Sequence, residues 1–198
     1  MIWRTHPAGN LHRSLTMLGV LIGLAGCSLA HGQRNEGTQM TTQPTMTIWQ
    51  AIDALARQIP FTKAKVETVL STRLVVKDTS GNPIQNTAFQ FYTGGPVKLS
   101  DGAFISNVDL RIRHKEGHPG FLVLDLDGEC IGLDAVRSHY SMLNITNVPH
   151  GHSPDEMMGY TTLEEWGKLS FGFTERHPDC LAAVSFNPKM LEADETDK

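Results

Sequence analysis

The 198-residue chain is short of several things, and each shortage excludes something. No apolar run approaches the ~20 residues that a membrane-spanning helix needs. The longest, Leu15–Leu24 (LTMLGVLIGL), has ten. There is no surplus of positive charge: 17 Lys and Arg stand against 21 Asp and Glu, a formal net charge of −4. Affinity for nucleic acid comes from cations set against phosphates, so no nucleic-acid partner is expected. There is no phosphate-binding glycine loop, no dinucleotide fingerprint and no Gly-x-Ser-x-Gly elbow. Glu164 and Glu165 are adjacent, and sequence neighbours point apart on a strand or a helix. Neither an enzyme nor a cofactor is expected.

Metal ligands are present but scattered. His114 and His118 flank Glu116, and His150-Gly151-His152 precedes Asp155 and Glu156. A zinc site needs three or four convergent ligands, and these pairs lie in loops far apart in sequence, so solvated histidines are expected. Asp125–Glu129 (DLDGE) lacks the third acidic position and the distal Glu of a calcium loop. Asp127-Gly128 reads as a hairpin turn, with Asp125 on the solvent side and Glu129–Ile131 beginning a return strand.

What is there begins at the N-terminus. Arg4 and Arg13 precede the ten-residue apolar run, and Leu24-Ala25-Gly26-Cys27 closes it. Basic flank, short apolar core and small residues before a cut are the pattern of a secretory signal peptide. With Cys27 placed after them, the segment resembles the lipobox of bacterial lipoproteins. That resemblance implies cleavage after residue 26, lipidation of Cys27 and attachment to a membrane through the lipid. Ser28 stands where Asp would signal inner-membrane retention in enteric-type sorting, so the resemblance implies the outer membrane, facing the periplasm. Translation from Met40 is the competing possibility and would leave a cytoplasmic protein.

Residues 27–46 are polar and aperiodic after the Cys and read as a flexible tether, with a reach of roughly 25 Å. Loss of residues 1–26 removes two arginines and no acids, which leaves 15 basic residues against 21 acidic ones. With Cys27 lipidated, Cys130 and Cys180 remain, and an oxidising periplasm favours their pairing as a disulfide.

Residues 47–188 read as one globular α+β domain, short helices packed on a mainly antiparallel sheet, followed by an acidic frayed tail at 189–198. Ile48, Ile52, Leu55 and Ile59 recur at helical spacing behind Thr47 as N-cap, and Pro60 ends that helix. Thr62 caps a second helix, with Phe61 and Val66 as a hydrophobic staple. Strands are expected at 72–77, 87–92, 103–113 (with an irregularity at Asn107), 121–126, 168–174 and 181–186, and a short helix at 133–140. Asn144–Gly159 reads as a long connection.

The stretch 144–167 carries the partner-binding candidates: His150, His152, Asp155, Glu156, Met157, Met158, Tyr160 and Trp166. Long loops are usually functional or disordered, and Met and aromatics inside a charged rim suit an interface. The alternative places Tyr160 and Trp166 at the start of the next strand and in the core, a reading that Trp166 fits equally well; Met157 and Met158 are expected at the surface.

Phe61–Leu70 and Ile131–Tyr140 align with Val66 over Val136, each followed by strands, as two degenerate helix-plus-sheet units. Thr62, Val66 and Leu70 match a Thr-x-x-x-Val-x-x-x-Leu pattern. In this the chain resembles the beta-lactamase inhibitor protein and the small outer-membrane assembly lipoproteins; Gly132 and Tyr140 depart from the pattern. A small acidic tethered domain with one disulfide and no catalytic motif is similar to secretion-system immunity lipoproteins. That resemblance implies a cognate periplasmic toxin of the amidase, muramidase or lipase class, neutralised by occlusion of its active site. An envelope-assembly or structural lipoprotein is the alternative.

Overall fold

The computed structural model describes residues 46–81 and 86–190. The Leu24–Cys27 motif, nearly all of the proposed tether and residues 191–198 of the tail lie outside them.

Thr47 starts the first helix, α1 (Ile48–Ala56), through a complete capping box. Its hydroxyl accepts from the Gln50 N–H, and the Gln50 side chain accepts from the Thr47 N–H. Thr62 caps α2 (Lys63–Leu70) on one side only, its hydroxyl accepting from the Lys65 N–H. Ile48, Ala51, Ile52 and Leu55 on α1 and Val66 and Leu70 on α2 are buried. Phe61 is buried too, its ring set edge-to-face on Phe186 at 5.8 Å.

Nine strands follow: β1 (Val75–Val76), β2 (Phe89–Gly94), β3 (Val97–Lys98), β4 (Ala103–Arg113), β5 (Phe121–Gly128), β6 (Asn144–Asn147), β7 (Met157–Glu164), β8 (Gly167–Thr174) and β9 (Leu181–Pro188). The helix α3 (Leu133–His139) lies between β5 and β6. All pairings are antiparallel, in the order β1-β2-β4-β5-β9-β8-β7-β6, with β3 on β4 beyond the end of β2. Among the described residues, three helices and one large antiparallel sheet make this an α+β fold dominated by strands.

Side-chain alternation decides which face is covered. Ile105, Val108 and Leu110 of β4, Leu122 and Leu124 of β5, Val184 and Phe186 of β9, and Leu169, Phe171 and Phe173 of β8 share a core with the helices. The register of β4 slips between Ile105 and Asn107, which keeps Ile105 and Val108 on the same side despite odd spacing. Among the described residues no helix covers the other face, and no helix is long and apolar enough to cross a membrane.

Cys130 and Cys180 are joined, with sulfurs 1.97 Å and Cα atoms 5.0 Å apart. The bond ties the exit of β5 to the entry of β9, and Leu181 N–H donates to Ile131 O (2.9 Å) beside it.

Three expectations need correction. Asp127-Gly128 is not a hairpin turn: β5 runs through Gly128, and its second neighbour is β9. Glu129–Ile131 is only three residues long before Gly132 and the helix from Leu133, too short to sustain a return strand. Asn144–Gly159 is not one long connection, because β6 pairs with β7 across it. All four β6 residues are exposed, so no buried alternation marks that strand in the sequence. The strand at 72–77 shrinks to Val75–Val76.

Candidate functional site

The uncovered face is built from the outward half of each strand. On β2, β4 and β5 the register sets Phe91 opposite Arg111 and Arg111 opposite Phe121. The Arg111 guanidinium lies 5.9 Å from the Phe91 ring centre and 5.3 Å from that of Phe121. One strand position pair away, Arg113 lies 5.8 Å from the Phe89 ring. Residues i and i+2 share a face, so Asp109 reaches Arg111 and holds it through two N–H groups, Nε to Oδ1 at 3.2 Å and Nη2 to Oδ2 at 2.8 Å. That hydrogen bonding favours the charged form and raises the Arg111 pKa. Beside this pair runs a polar relay: Thr93 Oγ1 donates to Asn107 Oδ1 (2.6 Å), and Asn107 Nδ2 donates to Asp125 Oδ2 (2.8 Å).

The β6–β9 half is lower and smaller in side chain. Thr146, Thr161 and Ser170 hydroxyls join in a chain of two 2.7 Å hydrogen bonds across β6, β7 and β8. With Asn144, Leu163 and Lys168 they line an open depression of about 480 Å³. Gly159 pairs with Gly172, and Gly172 with Ala183, which lowers the floor next to it. A Cβ at Gly172 would sit 2.7 Å from the Met157 sulfur, so the glycine is what lets Met157 lie flat on this face.

The eight residues singled out in the sequence do not gather here. Only Met157 projects from the open face. Met158 and Tyr160 point to the helix side opposite Phe173 and Phe171, and the Tyr160 ring meets Phe173 edge-to-face at 5.7 Å. Trp166 sits in the β7–β8 turn, stacked on Phe186 at 5.8 Å. His150 and His152 are exposed in the β6–β7 loop, where their backbone N–H groups and that of Gly151 donate to the Glu156 carboxylate. Those donors, His150 first, hold Glu156 below its ordinary pKa. Asp155 pairs with Arg176 at 3.0 Å, both exposed.

His114 and His118 also diverge. His114 is exposed; His118 is half-buried, accepts from Gly120 N–H at 3.1 Å and meets Phe89 edge-to-face. Burial lowers the His118 pKa, and Arg113 adds to the effect. Among the described residues no three His, Cys, Asp or Glu side chains converge as metal ligands.

The cluster that sequence reasoning missed is Phe89, Phe91, Asp109, Arg111, Arg113 and Phe121. A signal existed: Asp109, Arg111 and Arg113 alternate with the buried Val108 and Leu110 and the partly buried Ile112. What a single strand could not reveal is which residues stand beside them. No family model, no curated protein and no solved structure matches this chain.

Proposed function

We propose that this chain is a lipid-anchored, periplasm-facing immunity protein that binds a secreted envelope-targeting toxin through the open sheet face and occludes its active site. One observation carries this: an uncovered antiparallel sheet face that carries the Phe91–Arg111–Phe121 stack across β2, β4 and β5. Arg and aromatic residues are enriched among the side chains that dominate protein–protein affinity. The site offers recognition groups, aromatic rings and an arginine held by a carboxylate, of the kind a binding surface uses. The Leu24–Cys27 motif supports an anchored, extracytoplasmic location, and the Cys130–Cys180 bond suits an oxidising compartment. Toxins of the amidase, muramidase or lipase class act in that compartment.

The strand order supports two degenerate helix-plus-sheet units. The helix α2 precedes β1, β2, β4 and β5; α3 precedes β6, β7, β8 and β9. The sheet order mirrors the two sets about the β5–β9 pair. Val66 and Val136, the aligned positions, are both 0 % exposed. The β6–β7 loop with His150, His152, Asp155 and Glu156 stands at one end of the face and is a secondary contact in this proposal.

The test is a deletion strain challenged by a competitor that delivers the toxin. Loss of survival only under delivery, restored by the wild-type chain and not by Arg111→Glu, is the expected result. Detergent sensitivity without any toxin, equally restored by both forms, would replace this proposal with the envelope-assembly role.

A further inference from the structure

Charge on the open face is not evenly shared. Lys77 follows β1, and its N–H donates to Phe91 O at 3.0 Å, extending the pairing of Val75 with Thr93. Lys77, Phe91, Arg111 and Phe121 therefore form one lateral row, with Phe89 and Arg113 in the next. Asp109 neutralises Arg111. Among the described residues neither Lys77 nor Arg113 belongs to an ion pair. Two uncompensated cations interleaved with three phenylalanines thus stand on a chain whose net charge is −4.

We infer that this end of the open face docks an acidic segment of a protein partner, carboxylates set against Lys77 and Arg113 and apolar side chains against the phenylalanines. The inference rests on the proposed protein-binding role and names the partner's chemistry. Charge complementarity decides among the anionic occupants. Polybasic membrane contacts use clusters of about 4–8 cations, and this patch has two free ones. A nucleic-acid footprint rests on many phosphate contacts, and the chain's overall negative charge opposes it. A few carboxylates on a folded partner match two cations and also speed encounter by electrostatic steering.

The test uses the purified protein and a fluorescein-labelled peptide of alternating Glu and Leu, followed by anisotropy. Its Lys/Leu counterpart, oligothymidylate and phosphatidylglycerol vesicles are run in parallel. The expected result is saturable binding of the Glu peptide alone, weakened by added salt and on the order of tenfold by Lys77→Glu with Arg113→Glu. The milder Lys77→Gln/Arg113→Gln pair should fall between, and Arg57→Glu, the same reversal at the end of α1, should change nothing. Far-UV circular dichroism checks that each variant is folded. Equal binding by the reversed variant, preference for oligothymidylate or vesicles, or self-association lost on reversal would overturn the inference. The survival assay separates it from the proposed function: protection that survives reversal discards only the acidic segment, and peptide binding without protection discards only the immunity role.

Discussion

Arg111 concentrates three kinds of interaction in one side chain: two ring faces and a carboxylate. Each cation–ring contact at a partly exposed site is worth ~0.5–1 kcal/mol. Truncation also leaves Asp109, whose side chain is 14 % exposed, without its counter-charge. Arg111→Ala should therefore destabilise the fold by about 1–2 kcal/mol in urea unfolding, and Arg111→Lys, which keeps charge but not the planar stack, by less. A midpoint unchanged by Arg111→Ala would show that the stack is incidental to the fold. A second residue makes a pH prediction. Glu156 is held below its ordinary 4.5 by the N–H groups of the β6–β7 loop. Its folded pKa lies below the unfolded one, so its stabilisation is complete above pH 4.5 and is lost as pH falls through the folded value. The amides of His150, Gly151 and His152 should lose exchange protection in that acid window, and Glu156→Gln should reproduce the loss at neutral pH. Protection that ignores both changes would remove Glu156 as the clamp.

The disulfide acts at the scale of elements, because it pins the exit of β5 to the entry of β9, the pair at the middle of the sheet. Cross-links of this separation stabilise by ~2–4 kcal/mol, chiefly by restricting the unfolded chain. Cys130→Ser with Cys180→Ser should lower stability by about that amount in denaturant titration while the far-UV spectrum stays native-like; no loss would mean the β5–β9 pairing and the core hold that junction unaided. The β7–β8 turn offers a comparison. Gly167 has φ +147°, and a Cβ there would meet Asn187 O at 2.5 Å, so Gly167→Ala strains backbone that cannot yield. Elements with local signals were legible: the capped helices, the long β4 with its slip near Asn107, β8 with its alternation, and β9 with its apolar start. The β6–β7 pairing was not, since Asn144–Asn147 is exposed throughout and a proline-, histidine- and glycine-containing loop separates it from its partner. The candidate site was illegible for a related reason. Phe91, Arg111 and Phe121 are far apart in sequence and meet only through cross-strand register, which no single strand encodes.

At the scale of the molecule, two mirrored sets of strands raise the question of whether each half is a folding unit. The packing says otherwise. Phe61, before α2, has its edge-to-face partner Phe186 on β9, in the other half. Trp49 of α1 stacks on His139 at the end of α3, ring centres 4.0 Å apart, and also approaches Tyr140, whose phenol burial pushes up to about 12. Tyr140 in turn packs on Phe171 at 5.0 Å. The helix layer thus crosses the seam, and the central β5–β9 pair supplies backbone hydrogen bonds to both sides. A half chain would expose the apolar face of a sheet of four or five strands with fewer helices to cover it, and small domains have little stability in reserve. The intact protein should unfold in a single transition, with near-UV and far-UV circular dichroism superimposing. Fragments 46–128 and 129–190 should be unfolded separately. Two separated transitions, or a native-like spectrum from either fragment alone, would show that the mirrored halves are independent and that the contacts of Trp49 and Phe61 across the seam are dispensable.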